Sequence, residues 1–260
     1  MVHRMIRIRN LWKRYGDNDV LSGLNLEVNE NEILVILGRS GVGKSVLLRH
    51  IIGIEKPDQG SIEIGDVQIS HLKKHDLFRA MRTMGMLFQG SALFDSMTIE
   101  ENTAFYLRQH GNPHTGKPFT DIEIHQQVNE ALKKVGLDGT QKKMPSDLSG
   151  GMRKRAGLAR LLVYRPSILL YDEPTTGLDP ITAQQITDLI LQTQKELKGT
   201  SIIVTHDIAL ALRISSRLAL QRDGKIAFIA NPKEFMQIND PIINFLRESL
   251  INRFPRKETL

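Results

Sequence analysis

The stretch Gly38-Arg39-Ser40-Gly41-Val42-Gly43-Lys44-Ser45 is the strongest fold signal in the sequence, since it matches the pattern Gly, four residues, Gly-Lys-Ser. It follows the apolar run Ile33–Leu37 and precedes residues 46–52, whose apolar positions have helical spacing. A glycine-rich turn between a strand and a helix lets backbone N–H groups and the positive end of the helix meet phosphate oxygens. An ordinary turn beside a surface lysine would not account for both flanking elements. The stretch therefore predicts a phosphate site in which Lys44 bridges the outer phosphates and the Ser45 hydroxyl reaches Mg²⁺.

Two adjacent acidic residues at the end of a second predicted strand supply the carboxylates that a magnesium triphosphate site needs. Asp172 comes directly after the apolar run Ile168–Tyr171, and Glu173 follows Asp172. Carboxylates bind Mg²⁺ through its water shell, and a neighbouring carboxylate polarises an attacking water as a general base. A plain exit from a strand into a loop would also place acids there. With the phosphate loop upstream, the pair predicts hydrolysis, with Asp172 at the metal and Glu173 as the base.

The composition is that of an ordinary globular protein of 260 residues, 40% hydrophobic and 25% charged, with a net charge of +6. The absence of cysteine excludes disulfides, thiolate zinc sites and iron–sulfur ligation. The apolar runs are far shorter than the roughly 20 residues that span a bilayer, and the N-terminus lacks the apolar core of a signal peptide. We therefore expect a soluble, cytoplasmic chain. The charge leaves open a nucleic acid, an anionic lipid, a polyphosphate ligand or scattered solvated lysines.

Alternation patterns predict two kinds of sheet around the phosphate loop. Period-two alternation at residues 5–9 and 24–28 is typical of an antiparallel sheet, and residues 57–82 are expected to return to this layer. Downstream, strand and helix patterns alternate, which predicts a parallel sheet with helices on both faces. The predicted elements are a helix at 150–164, a strand at 167–171, a helix at 180–197, a strand at 201–205 and a helix from Ile208.

The middle of the chain has a different pattern of apolar residues. Residues 102–109 and 122–135 have apolar residues at helical spacing, and a polar loop with glycine and proline at 111–116 separates them. These patterns predict a helical subdomain that is inserted into the α/β core.

The stretch Leu148-Ser149-Gly150-Gly151-Met152 decides which family the sequence resembles. Ser149 lies 23 residues before Asp172, with the phosphate loop upstream. In this order and spacing, the three motifs resemble those of ABC ATPases, and the resemblance covers nearly the whole chain. It implies an α/β fold with a P-loop NTPase (RecA-like) core, an N-terminal antiparallel β subdomain and an inserted α-helical signature subdomain.

The resemblance also implies a division of the chain. An ABC ATPase domain would occupy residues 1–240, with the helical subdomain at about 95–155. Residues 241–260 would form a C-terminal helix and tail, because residues 242–251 are amphipathic. This segment would either contact a dimer partner or pack on its own core.

The roles of several further residues are implied only by the resemblance to ABC ATPases. Tyr15 would stack on adenine, Gln89 would touch Mg²⁺ and the attacking water, and His206 would contact the γ-phosphate. Asp179 would cross a dimer interface. Taken alone, a tyrosine near a strand end is more often packing, and a lone histidine after a strand is more often structural. The implied ligands are ATP and Mg²⁺.

The active unit implied by the resemblance is a head-to-tail homodimer around two ATP molecules. Phosphoryl transfer depends on charged and polar groups that surround the γ-phosphate, and the signature residues would complete this shell from the opposite subunit. Catalytic roles would fall to Lys44, Gln89, Glu173 and His206, and metal binding to Ser45, Gln89 and Asp172. The nucleotide-binding set would be Tyr15, Gly38, Arg39, Ser40, Gly41, Val42, Gly43, Lys44, Ser45, Val46, Ser149, Gly150, Gly151 and Asp179.

Met152 and residues 86–98 indicate a subfamily. Most transporter ATPases carry glutamine where this chain has Met152. Together with Arg153 and residues 145–147, these features resemble the ATPase of MCE-linked, Mla-type phospholipid transporters, which act at the inner membrane. The resemblance implies a peripheral subunit on the cytoplasmic face of that membrane. Its partners would be an integral membrane permease and an MCE-domain protein, with no nucleic acid.

The permease would dock where the helical subdomain meets the Gln89 region, around residues 90–102. Phe94 and Met97 would either anchor this contact or fill the subdomain core. Two other functions remain open. The first is an ABC importer of a small solute such as an amino acid. The second is a soluble ABC ATPase that acts on ribosomes or DNA, which the single motif set and short connections oppose.

Overall fold

The computed structural model of this protein describes residues 4–112 and 115–253. The strands are β1 (Arg4–Tyr15), β2 (Asn18–Asn29), β3 (Ile33–Leu37), β4 (Gln59–Ile64), β5 (Val67–Gln68), β6 (Met84–Leu87), β7 (Ile168–Asp172), β8 (Thr200–Thr205), β9 (Arg217–Arg222) and β10 (Lys225–Ala230). The helices are α1 (Lys44–Ile51), α2 (Lys74–Met81), α3 (Ile99–His110), α4 (Asp121–Lys134), α5 (Gly150–Leu162), α6 (Pro180–Leu197), α7 (Ile208–Ile214), α8 (Pro232–Phe235) and α9 (Pro241–Arg253).

The central sheet has the strand order β10-β9-β3-β8-β7-β6, in which β10 pairs antiparallel and the other neighbours pair parallel. Its strands bury both faces. In β3, Val35 and Leu37 enter the core under the helices, whereas Leu34 and Ile36 enter the core shared with β1, β2 and α1. A strand that is covered on both faces needs apolar residues throughout, which explains the continuous run in the sequence.

The second sheet is antiparallel, with the order β2-β1-β4-β5. Ile6 and Ile8 of β1 are buried, whereas Arg7 between them reaches Glu63 of β4 with its guanidinium at 2.5 Å. This alternation is the one expected for a sheet with a single buried face. The backbone N–H of Ser22 in β2 donates to the carbonyl of Gly224 at 3.0 Å, which ties this sheet to the β9–β10 hairpin.

Residues 57–82 return only partly to the antiparallel layer, so the prediction for this segment was wrong in its second half. β4 and β5 belong to the layer, but residues 74–81 form α2, which leads to β6 of the central sheet. None of the residues of α2 is fully buried. Leu77, Ala80 and Met81 are partly buried against the core and lie at helical spacing, so the segment carried a usable helix signal.

The β9–β10 hairpin is absent from the sequence-based prediction. Its turn, Asp223-Gly224, has φ values of +51° and +69°. Positive φ at both central residues is the geometry of a type I′ turn, which Asp-Gly favours between twisted antiparallel strands. The dipeptide was therefore a usable signal for this hairpin.

Helices α3, α4 and α5 pack on one another and form a helical layer between β6 and β7 in the chain. Thr98 and Glu101 form a capping box at the start of α3, and Thr120 and Glu123 form one at the start of α4. Across residues 4–112 and 115–253, no helix has both the length and the apolar composition needed to cross a bilayer.

α9 includes the predicted C-terminal helix. Ile243 is fully buried in the core under the helices, while Phe245 is exposed. The carboxylate of Asp240, just before α9, lies 2.6 Å from the guanidinium of Arg222 in β9. The helix therefore packs on its own domain through one face. The predicted tail at 254–260 lies outside the described residues, and a dimer contact by this segment stays a prediction.

Replacing Gly60 with alanine is expected to lower the free energy of unfolding by about 2 kcal/mol. Gly60 has φ +92°, and a Cβ atom there would lie 2.2 Å from the carbonyl oxygen of Asn10 and 2.6 Å from that of Arg9. Thermal unfolding measures the effect. The matched control is Gly65→Ala, at φ +56° with no atom within 4 Å of the added Cβ. Equal stability of the two variants would contradict the steric argument.

Candidate functional site

Three parallel strands of the central sheet bring the predicted residues to one edge. The phosphate loop follows β3, His206 follows β8, and Glu173 follows β7. These strands are neighbours in the order β3-β8-β7, although β3 and β7 are far apart in the chain. Because the carboxyl ends of parallel strands share an edge, side chains that follow them form one cluster.

The phosphate loop has the backbone that its glycines predict. Gly41 has φ +83° and Gly43 has φ +95°, which residues with a side chain rarely adopt. A Cβ atom at Gly43 would also lie 2.8 Å from Cγ1 of Val20. No side chain in the described part of the chain caps the start of α1. Its first N–H groups therefore remain for an anion, as the helix dipole favours.

Lys44 lies buried at the base of this loop, with 6% of its surface exposed. Its Nζ donates to the carbonyl oxygens of Gly38 at 2.8 Å and Arg39 at 3.0 Å, and lies 3.5 Å from Oε1 of Glu173. A buried ammonium needs such partners, because desolvation of an unpaired charge is costly. The loop thus holds a cation beneath the glycine-rich backbone.

The predicted metal ligands Ser45 and Asp172 are in contact. The Ser45 hydroxyl donates to Oδ1 of Asp172 at 2.8 Å. Burial raises the pKa of Asp172, and the charge of Glu173 adds to the rise, while the Ser45 hydrogen bond opposes it. Among the described residues no group of three or more His, Cys, Asp or Glu side chains could hold a metal. One hydroxyl and one carboxylate fit Mg²⁺, which takes few protein ligands and completes its shell with water and phosphate oxygens.

Glu173 is held on both carboxylate oxygens. Oε2 accepts from the hydroxyls of Thr176 at 3.1 Å and Thr205 at 3.2 Å, and lies 2.9 Å from Nδ1 of His206. Burial raises the pKa of Glu173, but the hydrogen bond from His206 and the charge of Lys44 outweigh it, so the net shift is downward. Glu173 is therefore ionised at neutral pH. Its backbone has φ +47°, a conformation rare for residues with a side chain.

These groups line one cleft of about 460 Å³. Among the predicted residues, Ser40, Gly41 and residues 43–46 form its phosphate side, Glu173 and His206 the opposite wall, and Tyr15 and Gln89 complete the lining. Gly38, Arg39 and Val42 belong to the same loop without lining the cleft, and Asp172 reaches it through Ser45.

Tyr15 has an exposed ring, and its hydroxyl donates to Oε2 of Glu55. The Nζ of Lys13 lies 5.4 Å from the ring centroid. The hydroxyl bond fixes the ring at the cleft without covering both of its faces. An aromatic base could therefore stack on it, although this role stays a prediction.

Sequence reasoning missed several residues of the site. Thr176 and Thr205 bond to Glu173, and Arg49 and Val20 line the cleft. Arg49 lies four residues after Ser45 in α1, so helical periodicity could have found it. The two threonines carry no comparable signal, because their role depends on how the strands assemble.

The signature residues do not line this cleft. Ser149 caps α5 by accepting from the N–H of Met152 at 3.3 Å, and Ser149 and Gly150 are exposed. Gly151 is buried, where a Cβ atom would lie 2.5 Å from Cγ2 of Thr182. Asp179 caps α6 through the N–H groups of Ile181 and Thr182, each at 3.0 Å. Within one chain, these residues are thus set apart from Lys44 and Glu173.

The profile of one protein family, described as ABC transporter, matches residues 21–176. The chain belongs to the ABC transporter family. This match includes the phosphate loop, the signature segment and the two acids at the end of β7, and it identifies the chain as a transporter ATPase that hydrolyses ATP. The sequence-based prediction of family and activity is confirmed.

Curated relatives of this ABC protein carry different transport names. The chain is 36% identical over 248 residues to the intermembrane phospholipid transport system ATP-binding protein MlaF of Haemophilus influenzae, covering 95% of this chain and 92% of the relative. It is 39% identical to the probable ribonucleotide transport ATP-binding protein mkl of Mycobacterium leprae, covering 92% of this chain and 67% of the relative. It is 38% identical to the methionine import ATP-binding protein MetN of Clostridium tetani, with 88% and 70% covered.

A solved structure agrees with the ABC fold. A dimeric ATP-binding cassette in a post-hydrolysis state, bound to ADP and Pi, matches with a TM-score of 0.80 and 29% identity, covering 88% of this chain and 99% of that one. The predicted α/β P-loop NTPase fold, with its antiparallel sheet and helical layer, is confirmed. ABC cassettes act as dimers with a membrane permease, and this general arrangement applies to the family to which the chain belongs.

Proposed function

We propose that this chain is the ATP-hydrolysing subunit of an ABC transporter that moves phospholipid between membranes. The observation that carries the ATPase part of the proposal is the meeting of Lys44, Glu173 and His206 in one cleft that the signature residues do not line. A site with a cation and a base but without the signature group is incomplete in one chain. A second copy, facing it head to tail, would supply Ser149 and Gly150.

In this proposal each group in the cleft has one task. Lys44 and the N–H groups at the start of α1 bind the outer phosphates, and Tyr15 stacks on the base. Glu173, ionised because its pKa is lowered, accepts the proton of the attacking water. His206, which pairs with the same carboxylate, contacts the γ-phosphate in this scheme. Mg²⁺, when bound at Ser45, Asp172 and Gln89, supplies charge neutralisation for the phosphates.

Phospholipid as the cargo is supported by the relative MlaF, since the match covers nearly the whole of both chains. The features around Met152 and residues 86–98 that resemble Mla-type ATPases point the same way. We accordingly place the chain on the cytoplasmic face of the inner membrane. Its partners would be an integral membrane permease and an MCE-domain protein.

The proposed docking surface for the permease includes the exposed Phe94, which packs against the partly buried Phe105. Phe94 is 41% exposed, its ring centroid lies 4.8 Å from that of Phe105, and the guanidinium of Arg160 lies 5.8 Å from its ring. Met97 is only half-buried. Exposed aromatic residues are typical anchors of protein interfaces. A helix from the permease would therefore contact Phe94 in preference to Met97.

Capture of the complex through an affinity tag on this chain tests the proposal. We expect a permease and an MCE-domain protein to co-purify, and the complex in vesicles of phosphatidylethanolamine and phosphatidylglycerol to transfer a fluorescent phosphatidylethanolamine only when ATP is hydrolysed. The same complex with Glu173→Gln is the matched control. Transfer that continues without ATP turnover, or a complex without lipid transfer, would contradict the proposal.

A small-solute importer is the second candidate, favoured by the relative MetN and its 38% identity. The same preparation distinguishes the two. Stimulation of ATP turnover by amino acids and their binding protein, without lipid transfer, would replace phospholipid with a solute while leaving the ATPase assignment intact.

A further inference from the structure

A buried lysine outside the predicted site connects two of its segments. Lys154 lies in α5 and is 5% exposed. Its Nζ donates to the backbone carbonyl of Gln89 and, at 3.4 Å, to the backbone carbonyl of Glu173. Burying an ammonium is costly unless its donors are satisfied. The two carbonyls are therefore the reason that this cation is tolerated in the interior.

The charges around Lys154 favour its cationic form. Burial lowers the pKa of Lys154 below that of a free lysine, and the carboxylates of Asp172 and Glu173 oppose this shift without reversing it. The lysine is thus close enough to these two acids for its charge to offset part of theirs. It touches the backbone of Glu173, whereas Lys44 approaches the carboxylate.

Lys154 belongs to a face of α5 that packs on the Gln89 segment. Lys154, Gly157 and Arg160 are spaced by three, so they lie on one side of the helix. At Gly157 a Cβ atom would lie 2.9 Å from Cδ1 of Leu87 and 3.2 Å from Cβ of Ser91. Arg160 donates to the carbonyl of Ser91 at 3.3 Å and to that of the next residue at 2.6 Å. The segment after β6 is therefore held along the whole length of this face.

The backbone of Glu173 depends on a few hydrogen bonds. Its φ of +47° is rare for a residue with a side chain and persists only where the surroundings determine it. Its N–H donates to the carbonyl of Val204 at 2.9 Å, and its carbonyl accepts from the N–H of Thr176 at 3.3 Å as well as from Lys154. The direction of the carboxylate follows from this backbone conformation.

We propose that Lys154 is a positioning residue, which holds the backbone of Glu173 so that its carboxylate meets the attacking water, and which ties that backbone to the Gln89 segment. A displacement of the Gln89 segment, such as one imposed by a docked permease, would reach the catalytic glutamate through this side chain. The inference rests on the proposed role of Glu173 as the base. Lys154 itself touches neither nucleotide nor water in this scheme.

Lys154→Met, which keeps the length of the side chain but removes its charge and donors, tests the inference in the captured complex. We expect the kcat of ATP hydrolysis to fall about tenfold, with KM within about twofold of the wild type, since only the base is displaced. ATP binding should survive in this variant, so it should accumulate as an ATP-bound dimer. Light scattering detects that dimer. Lys154→Arg should recover most of the activity, because a guanidinium can donate to both carbonyls.

The matched control is Lys134→Met, which removes an exposed lysine of α4 that pairs with Glu196 at 2.7 Å. It should keep wild-type kcat. An unchanged kcat in Lys154→Met would overturn the inference. So would a raised KM together with loss of the ATP-bound dimer and no recovery in Lys154→Arg, which indicates general structural damage.

Glu173→Gln, measured in parallel, separates this inference from the function on which it rests. Turnover that persists in Glu173→Gln would contradict both the proposed role of Glu173 as the base and the positioning role of Lys154. Turnover that is lost in Glu173→Gln but kept in Lys154→Met would overturn the positioning role alone.

Discussion

Replacing Glu173 with glutamine is expected to lower ATP turnover by at least about 100-fold while leaving ATP binding intact. The glutamine has nearly the same shape and can still meet Thr176 and Thr205, so the cleft should keep its form. It cannot accept a proton from water, and it cannot pair with Lys44 or a charged His206. The ATP-bound dimer should therefore accumulate. ATPase rates, fluorescent-nucleotide binding and light scattering on the captured complex measure the three properties.

The pH dependence of the same reaction gives a second check. The pKa of Glu173 is lowered in the folded chain, so the base is ionised above the ordinary glutamate value of about 4.3 and becomes protonated only as pH falls further. Hydrolysis should therefore lose no activity to protonation of Glu173 between about pH 5 and 8.

Near-wild-type turnover in the Glu173→Gln variant, with lipid transfer preserved, would show that another group takes the proton.

Ser149→Asp is expected to abolish turnover for a different reason. Aspartate caps a helix as well as serine does, so α5 should begin where it does now. If Ser149 faces the γ-phosphate of a nucleotide in the second subunit, the carboxylate repels it, and the dimer does not close. We expect a loss of at least about 100-fold in turnover, the scale seen when a group that contacts the developing charge is lost. ATP affinity of the separate chain should stay within about twofold.

Two comparisons make the result decisive. Ser149→Thr keeps both the cap and the hydroxyl and should keep most activity, whereas Lys44→Met should lose ATP binding itself because Lys44 lies in the cleft of its own chain. If Ser149→Asp lowered the ATP affinity of the separate chain as far as Lys44→Met does, Ser149 would act on the nucleotide of its own subunit. The head-to-tail dimer proposed above would then be wrong.

Local patterns predicted the elements with strong periodicity. The buried strand β3, the glycine turn and α1 follow from residues that are neighbours in the chain, and so do β7 and β8. α2 and the β9–β10 hairpin escaped prediction, since α2 has only eight residues and the hairpin was signalled only by Asp223-Gly224. Several site roles came from family resemblance, because a tyrosine or histidine in isolation carries no specific signal.

The amino-acid sequence was enough to predict a phosphate loop on an α/β core and two acids at a strand end. These features depend on residue types at fixed local spacing, such as the glycines that allow positive φ before Lys44. Which of these groups meet depends on the three-dimensional arrangement of the strands and helices. The order β3-β8-β7 brings Lys44, His206 and Glu173 together, α5 reaches Glu173 through Lys154, and Ser149 stays outside the cleft. Such contacts depend on how distant strands and helices pack, which local spacing does not encode.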